Sequence, residues 1–364
     1  MSEVTKSKIF QRQTTLQEIG NSGQEALQNA SVTIIGCGGL GSVAAIYLAA
    51  SGVGNLHLVD FDTIDISNLH RQVFYTLDDV GKSKAEVLGT YIGKISPFVK
   101  VSYSKHAVSK SNAIEIISES EIVFDCTDVL PVKYLLNDLC VLQDKVLVYG
   151  SLYKFDGYAA TFNHVNADGS RSTNLRDAFP EIPTDNIPNC SQLGTLNTIV
   201  GIIGLLQANE VLKIVTGVGE PLINQLLIYN SSENSQFQMK LNAKFSKEKV
   251  QAIYKTETYE QVTCEIDKEI EMSQAVFKDI LENSKNEYSV VSVIENVVQK
   301  LPFVVDEKVP LSEFEDWIQE GFEESKKYIF VCNKGIMSMT AATNIIEDFS
   351  DAVAYSLEGG ILEY

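Results

Sequence analysis

Basic residues are in short supply in this chain. Its 364 residues include 29 lysines and arginines against 48 aspartates and glutamates, and the formal net charge is −19. Proteins that bind nucleic acids attract phosphates with basic faces. We therefore expect no nucleic-acid partner.

The chain also lacks the spacings of cysteine and histidine that bind metals. The four histidines show no metal-ligand spacing, and no two cysteines form a CxxC pair. The six cysteines stand far apart, at Cys37, Cys126, Cys140, Cys190, Cys264 and Cys332. A chain of this length does not need a disulfide framework, so reduced thiols are expected.

Long apolar stretches are missing as well. The N-terminal residues MSEVTKSKIFQRQ lack the apolar core of a secretory signal. Runs such as TIVGIIGLL are too short to cross a bilayer. These absences predict no membrane association and a cytoplasmic protein.

What the chain does contain is an alternation of strand-like and helix-like segments. Apolar runs such as SVTIIG, NLHLVD and EIVFDCTD alternate with helical segments such as GSVAAIYLAASG and GKSKAEVLGTYIGKI. This order predicts buried parallel strands joined by right-handed crossovers. The expected fold class is α/β, with a doubly wound Rossmann-like sheet.

The rest of the chain predicts a loop, a linker and a second, smaller α/β domain. Residues 163–190 are rich in turn formers and predict a long, mobile loop. Residues 246–275 are polar and charged and predict a linker, and their composition would also permit a partly helical spacer. Chain length favours two domains, which we place at 1–245 and 276–364.

A glycine-rich turn follows the first predicted strand. The segment VTIIGCGGLGS contains Gly36, Gly38, Gly39 and Gly41. Such glycines let backbone N–H groups at a helix N-terminus face an anion. Asp60 ends the next strand, where an acid can hold a ribose hydroxyl. Both features fit NAD and ATP equally well.

The segments that follow favour ATP. Arg71 in DFDTIDISNLHRQVF and Lys84 in VGKSKAE lie near the carboxyl edge of the sheet, where doubly wound folds bind ligands. An enzyme that stabilises a departing pyrophosphate needs such cations, whereas a nicotinamide dehydrogenase does not. Asp128, the last residue of DCTD, could hold Mg²⁺, which prefers carboxylate and phosphate oxygens.

These motifs resemble those of the MoeB/ThiF family, the bacterial relatives of ubiquitin-activating enzymes. GCGGLGS, DFDTIDISNLHRQ, GKSKAE and DCTD occur in order, and the likeness covers roughly residues 8–245. The resemblance implies a homodimer that uses ATP and Mg²⁺. It also implies adenylation of the C-terminal Gly-Gly carboxylate of a ubiquitin-like sulfur carrier, MoaD-like or ThiS-like, with release of pyrophosphate.

The same resemblance assigns roles to individual residues. Asp60 would hold ribose, Asp128 would take Mg²⁺, and Arg12 in FQRQ would reach the γ-phosphate of ATP in the neighbouring subunit. The residues that would bind phosphates or line the nucleotide pocket are Gly36, Gly38, Gly39, Gly41, Asp62, Asn68, Arg71, Gln72 and Lys84. We expect Arg12, Arg71, Lys84 and Asp128 to be catalytic through positioning and charge neutralisation.

Two further features concern cysteine: the single residue Cys190, and the lack of the cysteines that bind zinc in related proteins. Cys190 precedes a predicted helix, where a thiolate is favoured. The resemblance implies a cysteine here that attacks the acyl-adenylate or forms an acyl-persulfide link, and the alternative is a passive thiol. Most bacterial members carry two CxxC pairs that bind a structural zinc. Asn174 and Asp177 stand where the first pair is expected, and the second region offers only Cys264. Four thiolates define such a site. We therefore expect no zinc, and a corner held by packing or hydrogen bonds.

The end of the chain resembles a rhodanese domain over about residues 285–364. VCNKGIMSM and LEGGI carry this likeness, with Cys332 at the position of the persulfide-forming cysteine and Ser338 at the end of its loop. Such a domain would deliver sulfur to the activated carrier. Asn333 and Met337 replace residues that are often arginine, so a degenerate domain that serves docking or dimer geometry is the alternative.

Two functions from other classes remain as alternatives to adenylation. One is an NAD-dependent oxidoreductase, and the other is a non-catalytic scaffold that binds a ubiquitin-like protein. The identity of the carrier also stays open, since molybdopterin, thiamine and tRNA-thiolation routes all fit the sequence.

Overall fold

A computed structural model describes residues 5–183, 194–259, 270–333, 335–349, 352–362 and 364. The chain divides into two compact units, residues 1–261 and 262–364. The first unit is the larger of the two.

An eight-stranded sheet forms the centre of the first unit. Its strands are β1 (Ser31–Ile35), β2 (Asn55–Val59), β3 (Lys100–Ser104), β4 (Ile122–Asp125), β5 (Val146–Tyr153), β6 (Asp156–Phe162), β7 (Gln225–Asn230) and β8 (Ser235–Lys240). They lie in the order β3-β2-β1-β4-β5-β6-β7-β8. The first five pair in parallel, and β6 to β8 continue the sheet antiparallel.

Helices pack on this sheet. They are α1 (Lys6–Ile9), α2 (Gln11–Thr14), α3 (Gly20–Asn29), α4 (Gly39–Ala50), α5 (Lys84–Ile95), α6 (Ala113–Ile117), α7 (Leu130–Leu142), α8 (Leu175–Ala178), α9 (Asn197–Thr216) and α10 (Lys247–Thr256). The predicted doubly wound α/β class is confirmed. From β1 the strand order continues to β2 and β3 on one side of the sheet, and from β4 it continues to β5 on the other side. A crevice therefore forms at the carboxyl ends of β1 and β4.

Helix α9 is the one described helix that is long and apolar enough to cross a membrane. It contacts α4, β5 and β6, and its buried residues include Ile199, Val200 and Ile203. These contacts account for its apolar character as a helix in the core of this unit.

Two sequence predictions for the first unit were wrong in part. The segment predicted as a mobile loop contains α8, and its residues Ser172 to Asp177 are buried. The predicted linker begins too early, because α10 packs on α7 and the Tyr259 side chain is buried. Strands β6 and β8 were not predicted, since their short polar-apolar mixtures lie beside turn-rich sequence.

Hydrogen bonds hold the corner where Asn174 and Asp177 stand in place of the family's zinc-binding cysteines. Asn174 caps α8, and its side-chain N–H donates to the carbonyl of Phe245 at 3.1 Å. One carboxylate oxygen of Asp177 accepts the backbone N–H groups of Lys244 at 2.5 Å and Phe245 at 2.9 Å. These donor and acceptor groups do not suit zinc, which structural sites hold with thiolates and imidazoles. The corner therefore uses a direct clip between α8 and residues 244–245.

The second unit is a smaller α/β domain with a five-stranded parallel sheet. Its strands, in the spatial order β11-β10-β12-β13-β9, are β9 (Glu271–Met272), β10 (Tyr288–Ser292), β11 (Glu307–Lys308), β12 (Lys327–Val331) and β13 (Val353–Leu357). Its helices are α11 (Gln274–Asn283), α12 (Phe314–Glu320) and α13 (Ile336–Asp348).

Candidate functional site

A cavity of about 1620 Å³ opens at the carboxyl ends of β1, β4 and β5 in the first unit. It brings together most of the residues predicted to bind a nucleotide. Those that line it are Gly36, Gly38, Gly39, Asp60, Asp62, Asn68, Arg71, Gln72, Lys84 and Asp128. Residues that lie up to about ninety positions apart in the sequence thus line the same cavity, as expected for a ligand site at a topological switch point.

The glycine turn owes its shape to two close backbone approaches. Gly36 has a φ of 91°, and a Cβ there would lie 2.7 Å from the carbonyl oxygen of Cys126. A Cβ on Gly41 would collide with the carbonyl oxygen of Gly36. Gly41 is buried and is not among the residues that line the cavity, and its close approach to Gly36 gives it a packing role. Gly38 and Gly39 open α4 at the cavity, where helix N–H groups favour an anion.

Asp60 is anchored at the end of β2 by backbone N–H groups. Its carboxylate accepts from Cys37 at 2.6 Å and from Asp62 at 2.8 Å. Burial raises the pKa of Asp60 above its ordinary value, while these two hydrogen bonds act in the opposite direction. The side chain is thereby fixed beside the glycine turn, where it can accept a ligand hydroxyl.

Lys84 is a buried cation at the cavity wall. It is the first residue of α5, and its Nζ donates to Asp62 Oδ2 at 2.8 Å. The Asp62 side chain is 48 % exposed. Because a lysine has three donors, Lys84 can hold Asp62 and a ligand oxygen at the same time.

Arg71, Asn68 and Gln72 reach the cavity from the turn after β2. The Arg71 guanidinium donates to the carbonyl of Ser67 at 3.0 Å, and Asn68 accepts the backbone N–H of Asp65 at 3.3 Å. Gln72 Oε1 is buried, with no hydrogen-bond partner among the described residues. A buried amide oxygen without a donor costs about 1–3 kcal/mol. The site therefore gains from a ligand that donates a hydrogen bond there.

The chemistry of the cavity fits a magnesium ion that arrives with phosphates. Asp128 is an exposed carboxylate on the turn after β4 and lines the cavity. Among the residues that the structure describes, no group of three or more His, Cys, Asp or Glu could hold a metal ion. Mg²⁺ commonly binds one or two carboxylates together with substrate phosphates and water, so a single carboxylate fits that arrangement.

Sequence reasoning missed the second half of the cavity. That half is aromatic and apolar and is formed by α7, β5, β6 and the segment after α8. Its lining includes Tyr134, Tyr149, Tyr153, Tyr158, Phe179, Pro180 and Tyr259. Tyr259 lies in the predicted linker, and Phe179 and Pro180 in the predicted loop, so composition gave no signal for them.

Sequence reasoning also missed a buried ion pair beside Asp128. Asp125 is the last residue of β4, and Lys133 lies on α7, with 3.0 Å between Lys133 Nζ and Asp125 Oδ2. Lys133 lines the cavity. The spacing of eight residues between an acid in DCTD and a lysine on the following helix was the available signal.

The remaining predicted residues lie outside this cavity. Arg12 is exposed on α2 and does not line the cavity of its own chain. Cys190 falls outside the described residues. Cys332 belongs to the second unit, where it lies between β12 and α13 and is buried, with 3.3 Å between its Sγ and Ser338 Oγ.

The family model described as the ThiF family matches residues 10–252. A similar protein is the sulfur carrier protein adenylyltransferase of Thermus thermophilus, 40% identical over 234 residues, which are 64% of this chain and 86% of that protein. The probable adenylyltransferase/sulfurtransferase MoeZ of Mycobacterium tuberculosis is 34% identical over 227 residues, which are 62% of this chain and 58% of MoeZ.

The first unit also resembles a solved structure. The crystal structure of E. coli MccB with ATP has a TM-score of 0.57 and 22% sequence identity, and the match covers 67% of this chain and 72% of MccB. At this identity the likeness concerns the fold, and it agrees with the sheet order and switch point described above.

Proposed function

Since this chain belongs to the ThiF family, we propose that it adenylates the C-terminal carboxylate of a ubiquitin-like sulfur carrier protein. The observation that carries the proposal is the composition of one cavity. One half of the cavity is lined by the glycine turn, Lys84, Arg71 and Asp128, and the other is the aromatic half. The proposal is favoured over an oxidoreductase because cations at this edge serve a triphosphate.

The chain's own residues would act by positioning and by neutralising charge. Asp60 would hold the ribose, and the N–H groups of Gly38 and Gly39 with Lys84 and Arg71 would bind the phosphates. A carboxylate oxygen of the carrier would attack the α-phosphorus. The bond from that phosphorus to the bridging oxygen would break, and its electron pair would leave with pyrophosphate. Asp128 would hold Mg²⁺, which supplies further neutralisation of the phosphates.

The size of the cavity supports a second substrate beside the nucleotide. Small-molecule pockets commonly enclose about 300–1,000 Å³, and this cavity is larger at about 1620 Å³. An extended chain end that finishes in small residues such as Gly-Gly would lie along the aromatic half and bring its carboxylate to the α-phosphate of the bound nucleotide. A MoaD-like carrier is our first candidate, and a ThiS-like carrier is the second.

We extend the proposal to a cytoplasmic homodimer in which Arg12 completes the neighbouring site. An exposed arginine that lies away from its own cavity is compatible with that role. Arginine suits it because the guanidinium can bind phosphate oxygens with two hydrogen bonds.

Sulfur transfer by the second unit is the remaining part of the proposal. Ser338 Oγ lies 3.3 Å from Cys332 Sγ and accepts a hydrogen bond from Ser356 Oγ at 2.9 Å, so one hydroxyl contacts the thiol and a second one holds it there. A Cys332→Ser variant should keep carrier adenylation and lose sulfur delivery from thiosulfate. A variant that still thiolated the carrier at the parent rate would favour a docking role for this unit.

The adenylation proposal is tested by ATP–pyrophosphate exchange. The protein should exchange labelled pyrophosphate into ATP when a carrier ending in Gly-Gly is present, and only then. Parallel reactions with MoaD-like and ThiS-like carriers would identify the class of carrier. Nucleotide binding without any carrier-dependent exchange would support a scaffold role.

A further inference from the structure

Asp125 holds the turn that carries Asp128. Its side chain is fully buried, and Oδ1 accepts the Thr127 backbone N–H at 3.0 Å and the Thr127 hydroxyl at 2.8 Å. The Asp125 carbonyl accepts a hydrogen bond from Gln207 at 2.8 Å. Both ends of this residue are thus tied down. The turn that leads to Asp128 starts from a fixed point.

Lys133 connects that turn to the neighbouring strand β5, which pairs with β4 in the sheet. Its ammonium donates to Asp125 Oδ2 at 3.0 Å and to the carbonyl of Gly150 at 2.7 Å, and it lies 5.0 Å from the centre of the Tyr149 ring. Gly150 and Tyr149 belong to β5, whose following residues Ser151 and Tyr153 line the aromatic half. This side chain therefore adds a link between β5 and the turn that carries Asp128, beside the backbone pairing of β4 with β5.

A buried ion pair of this kind is a poor device for stability alone. Removing two charges from water costs several kcal/mol per ion, and well-packed apolar residues often do as well or better. Lys133 and Asp125 are both buried. The pair instead has the arrangement of an outer layer that orients a ligand residue, because its hydrogen bonds converge on the turn before Asp128.

We propose that Lys133, with Asp125, is a positioning residue for adenylation. It sets the carboxylate of Asp128, and the divalent ion held there with ATP, against the β5 wall along which the carrier's end would lie. This inference rests on the proposed function and assigns to Lys133 and Asp125 a role that is exerted through Asp128.

The test compares two pairs of substitutions. Asp125→Asn/Lys133→Met removes both buried charges together, so that no unpaired charge is left inside the protein. Asp144→Asn/Lys247→Met removes an exposed pair whose Nζ and carboxylate oxygen lie 2.7 Å apart, and it serves as the matched control. The free Mn²⁺ signal in electron paramagnetic resonance measures metal binding in the presence of a non-hydrolysable ATP analogue. Fluorescence titration measures analogue binding without metal, and thermal unfolding checks the fold.

The buried-pair variant should bind Mn²⁺ with the analogue about tenfold more weakly, while analogue binding without metal and the control variant stay at the parent values. A merely structural pair would lower the fraction of active protein without moving the Mn²⁺ dissociation constant. Unchanged Mn²⁺ binding by a folded variant would overturn the assignment alone. Failure of the parent protein to bind the analogue would overturn the proposed function and the assignment with it. A single Lys133→Met variant would leave the Asp125 carboxylate buried and unpaired, and the double variant is used in its place for that reason.

Discussion

At the scale of single residues, the cavity depends on cations held in place by acids. Lys84 is buried against Asp62, and Lys133 is buried against Asp125. The first lysine was predicted from its motif, because a charged residue near the carboxyl end of a strand points to a ligand. The second was not predicted, because its partner and its orientation depend on how α7 packs against β5.

Replacement of Lys84 tests the residue-level assignment. Lys84→Ala should lower carrier-dependent ATP–pyrophosphate exchange by about 100-fold or more, since one preorganised charge contact on a reacting group has that magnitude. The fold should persist, because the partner carboxylate of Asp62 is half exposed and can be solvated. Exchange kinetics and circular dichroism measure the two effects.

Lys82→Ala is the control for that experiment. Lys82 lies two residues earlier, is exposed, and contacts Asp79 at 3.2 Å outside the cavity. It should exchange pyrophosphate at the parent rate. Full exchange by Lys84→Ala would show that the cation has no part in the reaction.

At the scale of elements, regular strands and helices followed from the sequence pattern, whereas irregular segments did not. Strands β1, β2 and β4 are short apolar runs, and their burial is the cause of that pattern. The segment around α8 reads as a loop because its polar residues satisfy one another. Arg176, for example, is buried against Asp138, with 2.7 Å between its Nη2 and Asp138 Oδ2. Composition carries no information on such pairing.

The hydrogen-bonded corner can be tested by removing its central acid. Asp177→Ala should lower the free energy of unfolding of the first unit by about 1–3 kcal/mol, because three backbone N–H groups lose their acceptor. Asp168→Ala is the control, since Asp168 also accepts a backbone hydrogen bond but lies in an exposed turn. Urea unfolding followed by circular dichroism compares the three proteins, since the one tryptophan, Trp317, belongs to the second unit.

Chelation completes the test of that corner. The melting temperature of the parent protein should be the same with and without a strong zinc chelator, because the clip contains no metal ligand of the thiolate or imidazole type. A drop in melting temperature on chelation would show that a metal holds this region after all.

At the scale of the whole molecule, the first unit of each chain contains the cavity described above, and Arg12 does not line the cavity of its own chain. The proposed homodimer predicts complementation between two inactive variants. Arg12→Ala and Lys84→Ala should each be inactive alone. After the two are mixed and allowed to exchange subunits, about a quarter of all sites would combine an intact Lys84 with an intact Arg12.

The rate of ATP–pyrophosphate exchange in that mixture should therefore rise to about a quarter of the parent value. A mixture as inactive as its components, with subunit exchange verified by differently tagged chains, would place Arg12 outside the neighbouring site. An Arg12→Ala variant with full activity would remove the arginine from the reaction altogether.

The central claim is that one cavity joins a nucleotide's α-phosphate to a carrier protein's terminal carboxylate. Its most direct measurement uses ATP labelled at the α-phosphate, with gel analysis of the carrier and a parallel assay for pyrophosphate. The account predicts label on a carrier that ends in Gly-Gly, one pyrophosphate per labelled carrier, and no label when the last glycine is deleted. Pyrophosphate formation without label on the carrier, or equal labelling of the truncated carrier, would contradict it.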